Sequence, residues 1–420
     1  MKKILAIALA VLMIAALAAG CNNTPAAPSS SAPAPSSAAP APSSSAPSAA
    51  PSAAPSAPAA SGGIVLAADA TKRHQDAYAF IADLKEQASQ YDPLAAKHHY
   101  RMNTHEPATS GPSVISYAWS DAVLVATEGD VWIEVGPSNA FCAGGTMAAL
   151  DEMISGSFEF VFTLPCYFRN YMPLSLVIQN PSLGIKNVTA GSYAMWETYK
   201  NSPELQAEAA NNGEMIFLFA NNPSPLSYKA DNIISSVNDI KGNIRGNNGP
   251  AQMFIEEVGA DIYSCAITDV YTNVTTGVID YLITDWHGIY SFNLYDRGVL
   301  NNYLDVNIGC SAFMFMANDG AWAEIERNGY ADAIKSVSGD YFYNFVAVLE
   351  EFEANGRKAA VDNGGNIYMP SAEILADLDA AFENVAKRWI SENGASAQAI
   401  YDKTAALVNE YNGIYKSLTD

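Results

Sequence analysis

From Gly63 to Asp420 the chain alternates between short runs rich in β-branched and aromatic residues and longer runs with apolar residues at helical spacing. This alternation constrains the fold more than any other feature, because strands separated by helices form sheets that helices cover. No segment repeats at a fixed period. The simplest packing of this order is two α/β lobes, with helices that wrap back over both.

Local patterns place the individual elements. A helix is expected at Asp76–Tyr91, ahead of the main fold, and the continuous apolar run Glu214–Asn222 predicts a buried central strand. An amphipathic helix is expected to stop at Gly394. Other segments have clear strand or helix patterns; the strands are His98–Glu106, Asp130–Gly136, Phe158–Phe162, Asp280–Trp286 and Ser311–Asn318, and the helices are Ser113–Thr127 and Gly145–Ser155.

The N-terminus begins with two lysines and an apolar run that leads to small residues and Cys21, the layout of a secretory signal. Leu17–Cys21 is similar to a bacterial lipobox, which predicts a signal peptide over residues 1–20 and a lipid-modified Cys21. Residues 21–62 are almost wholly Ala, Pro and Ser, a composition that predicts an extended tether. Residues 63–97 are interpreted as an extra helical segment.

The chain contains 22 Lys and Arg against 44 Asp and Glu, and its formal net charge is −22. Such an excess of acid argues against nucleic acid as a partner, because that contact needs a basic surface. Four cysteines follow Cys21, none of them at metal-finger spacing. Export permits disulfides in any of three pairings, and buried free thiols are preferred for Cys142, Cys166, Cys265 and Cys310.

The segment NDIKGNIRGNN, 238–248, places the lone Arg245 after a short strand and just before a helix. In open α/β sheets small ligands bind beyond the carboxyl ends of strands, where helix N-termini favour anions. The planar guanidinium of Arg245 can also make two parallel hydrogen bonds to one carboxylate. These features alone leave two interpretations open, an anion-binding arginine or a surface or structural one.

The segment SVNDIKGNIRG, followed by EEVGADIYSCAITDVYTNVTTGVIDYLITDW, resembles the central block of TRAP transporter solute-binding proteins, of the dicarboxylate-receptor-like type. Residues such as Lys241, Gly242, Arg245 and Asp280 fall in the order of the family pattern. YRMNTHEPATSGP, VWIEVGPSNAF, ISGSFEFVF and RWISENGASAQAIYD are similar to other family segments. The resemblance extends from about Tyr100 to the end of the chain.

The resemblance implies an α/β, two-lobed periplasmic-binding-protein fold of type II-like form, with hinge strands and a long helix across both lobes. Residues 98–222 and 312–345 are expected in lobe I, and 223–311 and 346–420 in lobe II. Arg245 is implied to bind a ligand carboxylate. Positions at strand ends are the other ligand-binding candidates that the resemblance suggests: Asn103, Tyr167, Thr284, Asp285 and Trp286. Arg169, close to Tyr167 in the sequence, is a further candidate.

The resemblance also implies a function: an extracytoplasmic, lipid-anchored monomer that captures an organic acid and delivers it to a TRAP permease, without cofactor or catalysis. Two departures from the pattern bear on the ligand. Asp285 stands where the family often has proline, so either it points away or the ligand carries an amino or hydroxyl group. A second arginine found upstream in some members is missing, which favours a monocarboxylate.

Other classes of function are open. His98, His99, His105 and Glu106 lie close in sequence and raise the possibility of a metal site, although neighbouring strand residues point to opposite faces. No hydrolase, metalloprotease or nucleotide-binding motif occurs, so an enzyme is not expected. A metal-binding protein or a purely structural surface lipoprotein of the same fold remains the alternative.

Overall fold

The computed structural model describes residues 68–231 and 233–419. The signal peptide, Cys21 and the tether predicted from the sequence lie outside these residues. Within them, eleven strands form two sheets, in the α/β arrangement of two lobes that the sequence predicts. None of the helices described there is long and apolar enough to cross a membrane.

Lobe I is built on a five-stranded sheet in the order β2-β1-β3-β10-β4. Strands β1, β2 and β3 run parallel, whereas β10 lies antiparallel to both of its neighbours. Aromatic side chains from the sheet pack closely in its core, because strands buried on both faces need apolar residues at nearly every position. The strands are β1 His98–Thr104, β2 Val131–Gly136, β3 Phe160–Thr163, β4 Glu214–Ala220 and β10 Ala312–Ala317.

Lobe II is built on a six-stranded sheet in the order β11-β9-β5-β8-β6-β7. Strand β6 lies parallel to both β7 and β8, whereas β5 is antiparallel to β8 and β9. The strands are short: β5 Leu226–Tyr228, β6 Asn243–Arg245, β7 Asp261–Ile262, β8 Tyr281–Ile283, β9 Asn302–Leu304 and β11 Asn366–Tyr368.

Twelve α-helices in the described residues cover the sheets, and several begin at a side-chain cap such as Ser110, Asn187, Asn318 or Ser371. They are α1 Ala68–Ala88, α2 Gly111–Ala126, α3 Ala149–Ile154, α4 Val188–Lys200, α5 Pro203–Ala210, α6 Pro250–Glu257, α7 Ile267–Thr275, α8 Trp286–Ser291, α9 Asp319–Arg327, α10 Ala331–Asp362, α11 Ala372–Asn393 and α12 Ala395–Ile414.

Within the described residues the chain passes from one sheet to the other three times. It leaves lobe I after β4, returns before β10, and crosses again along α10, a helix of 32 residues. This helix packs against α2 of lobe I and against α8 and β11 of lobe II. It is the long helix across both lobes that the resemblance implies.

The C-terminal helices divide between the two lobes. Helix α11 packs against α6 in lobe II, whereas α12 packs against α4 in lobe I. Thr198 of α4 and Thr404 of α12 share a hydrogen bond, and so do Ser182 and Tyr401. The residue boundaries that the sequence suggests for the lobes remain a prediction.

The four described cysteines are all free, and Cys142, Cys166 and Cys310 are buried. Cys265 is partly exposed. The preference for free thiols over a disulfide therefore agrees with the structure.

Candidate ligand-binding cleft

The strand ends of both lobes meet at one cleft. In lobe I, His105 and Glu106 follow β1, Tyr167 follows β3 and Asn221 follows β4. In lobe II, polar residues follow β6 and β8 in the same way. Side chains from all these loops line one cavity of about 20 Å³ between the sheets. The topology therefore brings together residues far apart in the sequence, as expected for ligand sites in open α/β sheets.

The loop before β6 is held in place by Asp280. Gly242 adopts a φ of 102°, and a Cβ on it would lie 2.3 Å from Oδ2 of Asp280. That same oxygen accepts a hydrogen bond from the backbone N–H of Asn243 at 2.8 Å. Glycine is required here because other residues disfavour this φ and the carboxylate fills the space. The Lys-Gly pair before Arg245 thus fixes how β6 aims the arginine.

Arg245 is buried, with 1% of its surface exposed. Its Nε and Nη2 atoms each lie 3.3 Å from the carbonyl oxygen of Cys265. Within residues 68–231 and 233–419 it forms no ion pair with any acid. A buried charge without a counter-ion is costly, so a cationic group in this setting is suited to an anionic ligand.

Two cavities adjoin the Arg245 side chain. The first, of about 20 Å³, extends toward β1 and α8, and the second, of about 120 Å³, extends toward Met147 and Cys265. Tyr167 and Asn247 line both cavities. Arg245 therefore lies in the middle of one small cleft, with a cavity on either side of its side chain.

Opposite the arginine, four ionisable side chains form a buried cluster across the two lobes. Nε2 of His105 lies 3.3 Å from Oε1 of Glu106, and Nε2 of His287 lies 3.5 Å from Oε2 of the same carboxylate. On its other side, Nδ1 of His287 lies 3.4 Å from Oδ1 of Asp285. Glu106 belongs to lobe I and His287 to lobe II, so their proximity joins the lobes.

Burial dominates the electrostatics of this cluster. Desolvation lowers the pKa of His105 to about 3, with further contributions from His287 and Arg245. It raises the pKa of Glu106 to about 7, against the opposing effect of His287. For His287 burial alone would lower the pKa, but Glu106 and Asp285 outweigh it and raise the value. His105 is therefore a neutral imidazole at neutral pH.

Thr284, Asp285 and Tyr167, which are candidates from the resemblance, all line the first cavity. Asp285 is also the N-cap of α8, where its Oδ1 accepts a hydrogen bond from Gly288 N–H at 2.7 Å. One oxygen of this carboxylate is thus committed to the helix. This arrangement reduces the repulsion that an acidic residue would otherwise exert on a bound acid.

Three other candidates lie outside the two cavities. Trp286 is buried in the core of lobe II, 5.2 Å from the ring of Tyr303 and 4.7 Å from the guanidinium of Arg357. The Asn103 side chain accepts a hydrogen bond from Phe141 N–H. Arg169 is exposed, and its Nη1 lies 3.4 Å from Oε1 of Gln252 in lobe II. The structure therefore gives all three of them packing or bridging contacts.

The histidines considered for a metal site are dispersed. His98 pairs with Glu324, and His99 with Glu134 on the opposite face of β1. Among the described residues, no group of three or more His, Cys, Asp or Glu side chains is arranged to hold a metal ion. His105 and Glu106 instead belong to the cleft.

Sequence reasoning missed several cleft residues. His287 and Phe292 on or after α8, Asn221 after β4, and Ser311 and Phe313 at β10 all line the first cavity. The position of Asn221 directly after a buried strand was a usable signal. His287 gave a weaker one, because nothing local shows that the start of α8 faces lobe I.

Two α/β lobes, three crossings and a cleft lined by strand ends define the class of two-lobed solute receptors. Residues 112–393 match the DctP family, bacterial extracellular solute-binding proteins of family 7. The chain belongs to this family and is a solute-binding protein of the TRAP type. These proteins are extracytoplasmic receptors for substrates rather than enzymes. No curated protein matches the sequence.

Solved structures share the fold. A TRAP solute-binding protein from an unidentified marine microbe, specific for aromatic acids and bound to metahydroxyphenylacetate, is 21% identical with a TM-score of 0.67. The alignment covers 75% of this chain and 99% of that one. One from Rhodoferax ferrireducens, with copurified benzoate, is 19% identical, with a TM-score of 0.67 and coverage of 75% and 99%.

An extracytoplasmic solute receptor from Bordetella pertussis that binds pyroglutamic acid is 18% identical, with a TM-score of 0.64. The alignment covers 73% of this chain and 99% of that one. At these identities the similarity establishes the fold.

Proposed function

We propose that this protein captures a small organic acid between its lobes, with Arg245 as the residue that binds the carboxylate. The observation that carries the proposal is the burial of Arg245 beside the cleft without an acidic partner in the described part of the chain. The carboxylate of the ligand would supply the counter-charge that the Arg245 guanidinium lacks, through two charge-assisted hydrogen bonds. The acids bound by the similar proteins, aromatic acids and pyroglutamic acid, support this class of ligand.

The cleft also favours a small ligand. Its two cavities, of about 20 and 120 Å³, are well below the roughly 300 to 1,000 Å³ of pockets for drug-sized molecules. With one arginine among the lining residues, a monocarboxylate balances the charge better than a dicarboxylate. Because the ligand would contact both lobes, it would stabilise their closed arrangement.

Transport completes the proposal. The lipidated Cys21 would anchor the protein, the Ala/Pro/Ser-rich segment would tether it, and the closed receptor would deliver its acid to a TRAP permease as a monomer. The N-terminal part of this proposal is tested by membrane fractionation of the producing cells. Cys21→Ala is expected to release the protein from the membrane fraction, and retention of the variant there would contradict the anchor.

Ligand capture is tested by thermal unfolding of the full-length protein with a panel of small carboxylates and their neutral amides. We expect at least one carboxylate, and not its amide, to raise the melting temperature, because bound ligand stabilises the folded state. The shift should disappear in Arg245→Ala. Equal shifts from an acid and its amide, or a shift unaffected by the substitution, would rule out the proposed role of Arg245.

A further inference from the structure

The end of the cleft opposite Arg245 has more hydrogen-bond acceptors than donors. Nδ1 of His105 and Oε2 of Glu106 are buried and have no hydrogen-bond partner among the described residues. Both residues line the first cavity, and both side chains are almost fully buried. Buried polar atoms in folded proteins are nearly always paired, so these two atoms indicate a group that the protein itself does not supply.

The tautomer of His105 defines what that group must be. Its Nε2 faces Oε1 of Glu106 at 3.3 Å, an arrangement that places the proton of the neutral ring on Nε2. Burial keeps the ring neutral, since it lowers the pKa to about 3. Nδ1 then carries a lone pair and accepts a hydrogen bond. Oε2 of the Glu106 carboxylate is an acceptor as well.

Of the other polar groups nearby, Nε2 of His287 is also buried without a hydrogen-bond partner among the described residues, and its distance of 3.5 Å from Oε2 of Glu106 is longer than a normal hydrogen bond. Asp285 Oδ1 accepts from Gly288 N–H, and Nδ2 of Asn221 lies 3.5 Å from Nδ1 of His287. His287 itself lies between Glu106 and Asp285 and faces both carboxyl groups. The backbone N–H of Glu106 donates to Thr104, which fixes the loop that carries both acceptors.

We propose that His105 and Glu106 form a second recognition point, which accepts a hydrogen bond from a hydroxyl or N–H group of the same ligand. The ligand is then a small hydroxy acid or a carboxylic acid with an N–H group, rather than an unsubstituted one. This inference rests on the proposed function, because Arg245 orients the ligand by its carboxylate. An unsubstituted acid would leave the two buried acceptors unpaired, which is a penalty for binding.

The test compares matched acids on the full-length protein by isothermal titration calorimetry. The probe pairs are lactate with propionate, and mandelate with phenylacetate, which differ by one α-hydroxyl group. We expect the hydroxy acid of at least one pair to bind ten or more times more tightly. If the two acids of each pair bind within threefold of one another, or if neither these four acids nor pyroglutamate, which carries an N–H group, binds, the inference is overturned.

Variants identify the residues responsible. Glu106→Gln replaces one acceptor oxygen with an NH₂ donor, so the preference for the hydroxy acid should fall to threefold or less. Glu134→Gln, at an exposed carboxylate on β2, is the matched control and should retain the full preference. A preference that survives in Glu106→Gln also overturns the inference. The wild-type comparison decides the ligand class even if this variant fails to fold.

The same measurements separate this inference from the proposed function. If hydroxy and unsubstituted acids bind equally well and Arg245→Ala weakens both, the receptor for organic acids stands and the second recognition point is wrong. If Arg245→Ala leaves the affinity for every bound acid unchanged, the proposed role of Arg245 is wrong. The inference then fails as well.

Discussion

Oδ2 of Asp280 accepts a hydrogen bond from Asn243 N–H at 2.8 Å and occupies the space where a side chain on Gly242 would begin. Gly242→Ala is therefore expected to destabilise the protein by roughly 1–3 kcal/mol, through a strained positive φ and a clash with the carboxylate. Urea unfolding measures the loss. Because the same loop leads into Arg245, ligand affinity should fall as well.

Gly277→Ala provides the matched control. Gly277 also has a positive φ, of 75°, but no atom lies within 4 Å of its Cβ position. This variant reports the backbone strain alone and should be less destabilised than Gly242→Ala. Equal destabilisation of the two variants would show that the contact with Asp280 contributes nothing.

Arg245→Ala should weaken binding of the best carboxylate by roughly 2–4 kcal/mol, because it removes a buried partner of the ligand charge. Arg245→Lys should recover part of that loss at most, since an ammonium group does not provide the two parallel hydrogen bonds of a guanidinium. Calorimetry measures both. Arg327→Ala, at an exposed residue of α9, is the control and should bind as the wild type does. Wild-type affinity in the lysine variant would argue against binding of the carboxylate by two parallel hydrogen bonds.

The buried His105 makes stability depend on pH. The folded protein keeps this ring neutral down to about pH 3, whereas the unfolded chain takes up a proton below about 6.5. The contribution of His105 to stability is therefore fully present above pH 6.5 and decreases as the pH falls from 6.5 toward 3. Between pH 7 and pH 5 the wild type should lose about 2 kcal/mol in the free energy of unfolding because of this histidine. His105→Gln should not show this loss.

Urea unfolding of both proteins at the two pH values measures that difference. The comparison with the variant matters because Glu106, with its raised pKa, has the opposite pH dependence. His99→Gln removes an exposed histidine and should behave as the wild type does. The same loss of stability in His105→Gln as in the wild type would contradict a buried neutral ring.

Helix α1 is held against α10 by a buried ion pair. Arg73 donates to Glu350, whose side chain is fully buried, and also to the backbone oxygen of Lys416. Arg73→Ala would leave the Glu350 carboxylate buried without its cation, and we expect a loss of about 3 kcal/mol in the free energy of unfolding. Lys72→Ala, which breaks an exposed pair with Asp76, should cost about 0.5 kcal/mol or less. Similar losses in the two variants would show that α1 is not fixed by this ion pair.

Much of the fold could be predicted from the sequence because its information is local. Alternation predicts a strand at Asp130–Gly136, and β2 is Val131–Gly136. The amphipathic run predicts a helix that stops at Gly394, where α11 ends at Asn393 and the glycine has a φ of 81°. The position of Arg245 at a strand end was also visible, because it depends only on the order of strand, loop and helix.

Other features depend on contacts that no local pattern contains. The first helix is already formed at Ala68, ahead of the expected Asp76, because Ala70 and Arg73 are covered by α10 and the C-terminal segment. Trp286 was expected at a strand end as a ligand-binding candidate, but it starts α8 and packs in the core.

By itself the sequence determined the strands of lobe I, their order along the chain and the cationic residue at the end of β6, since periodicity and turn residues act over a few positions. Only the tertiary structure decided which side chains meet that residue across the cleft. Glu106 and His287 are 181 positions apart in the chain, yet Oε2 of Glu106 and Nε2 of His287 lie 3.5 Å apart. The reason is that the chain passes three times from one sheet to the other and so brings their loops together, and a contact of that kind leaves no periodic signal along the chain.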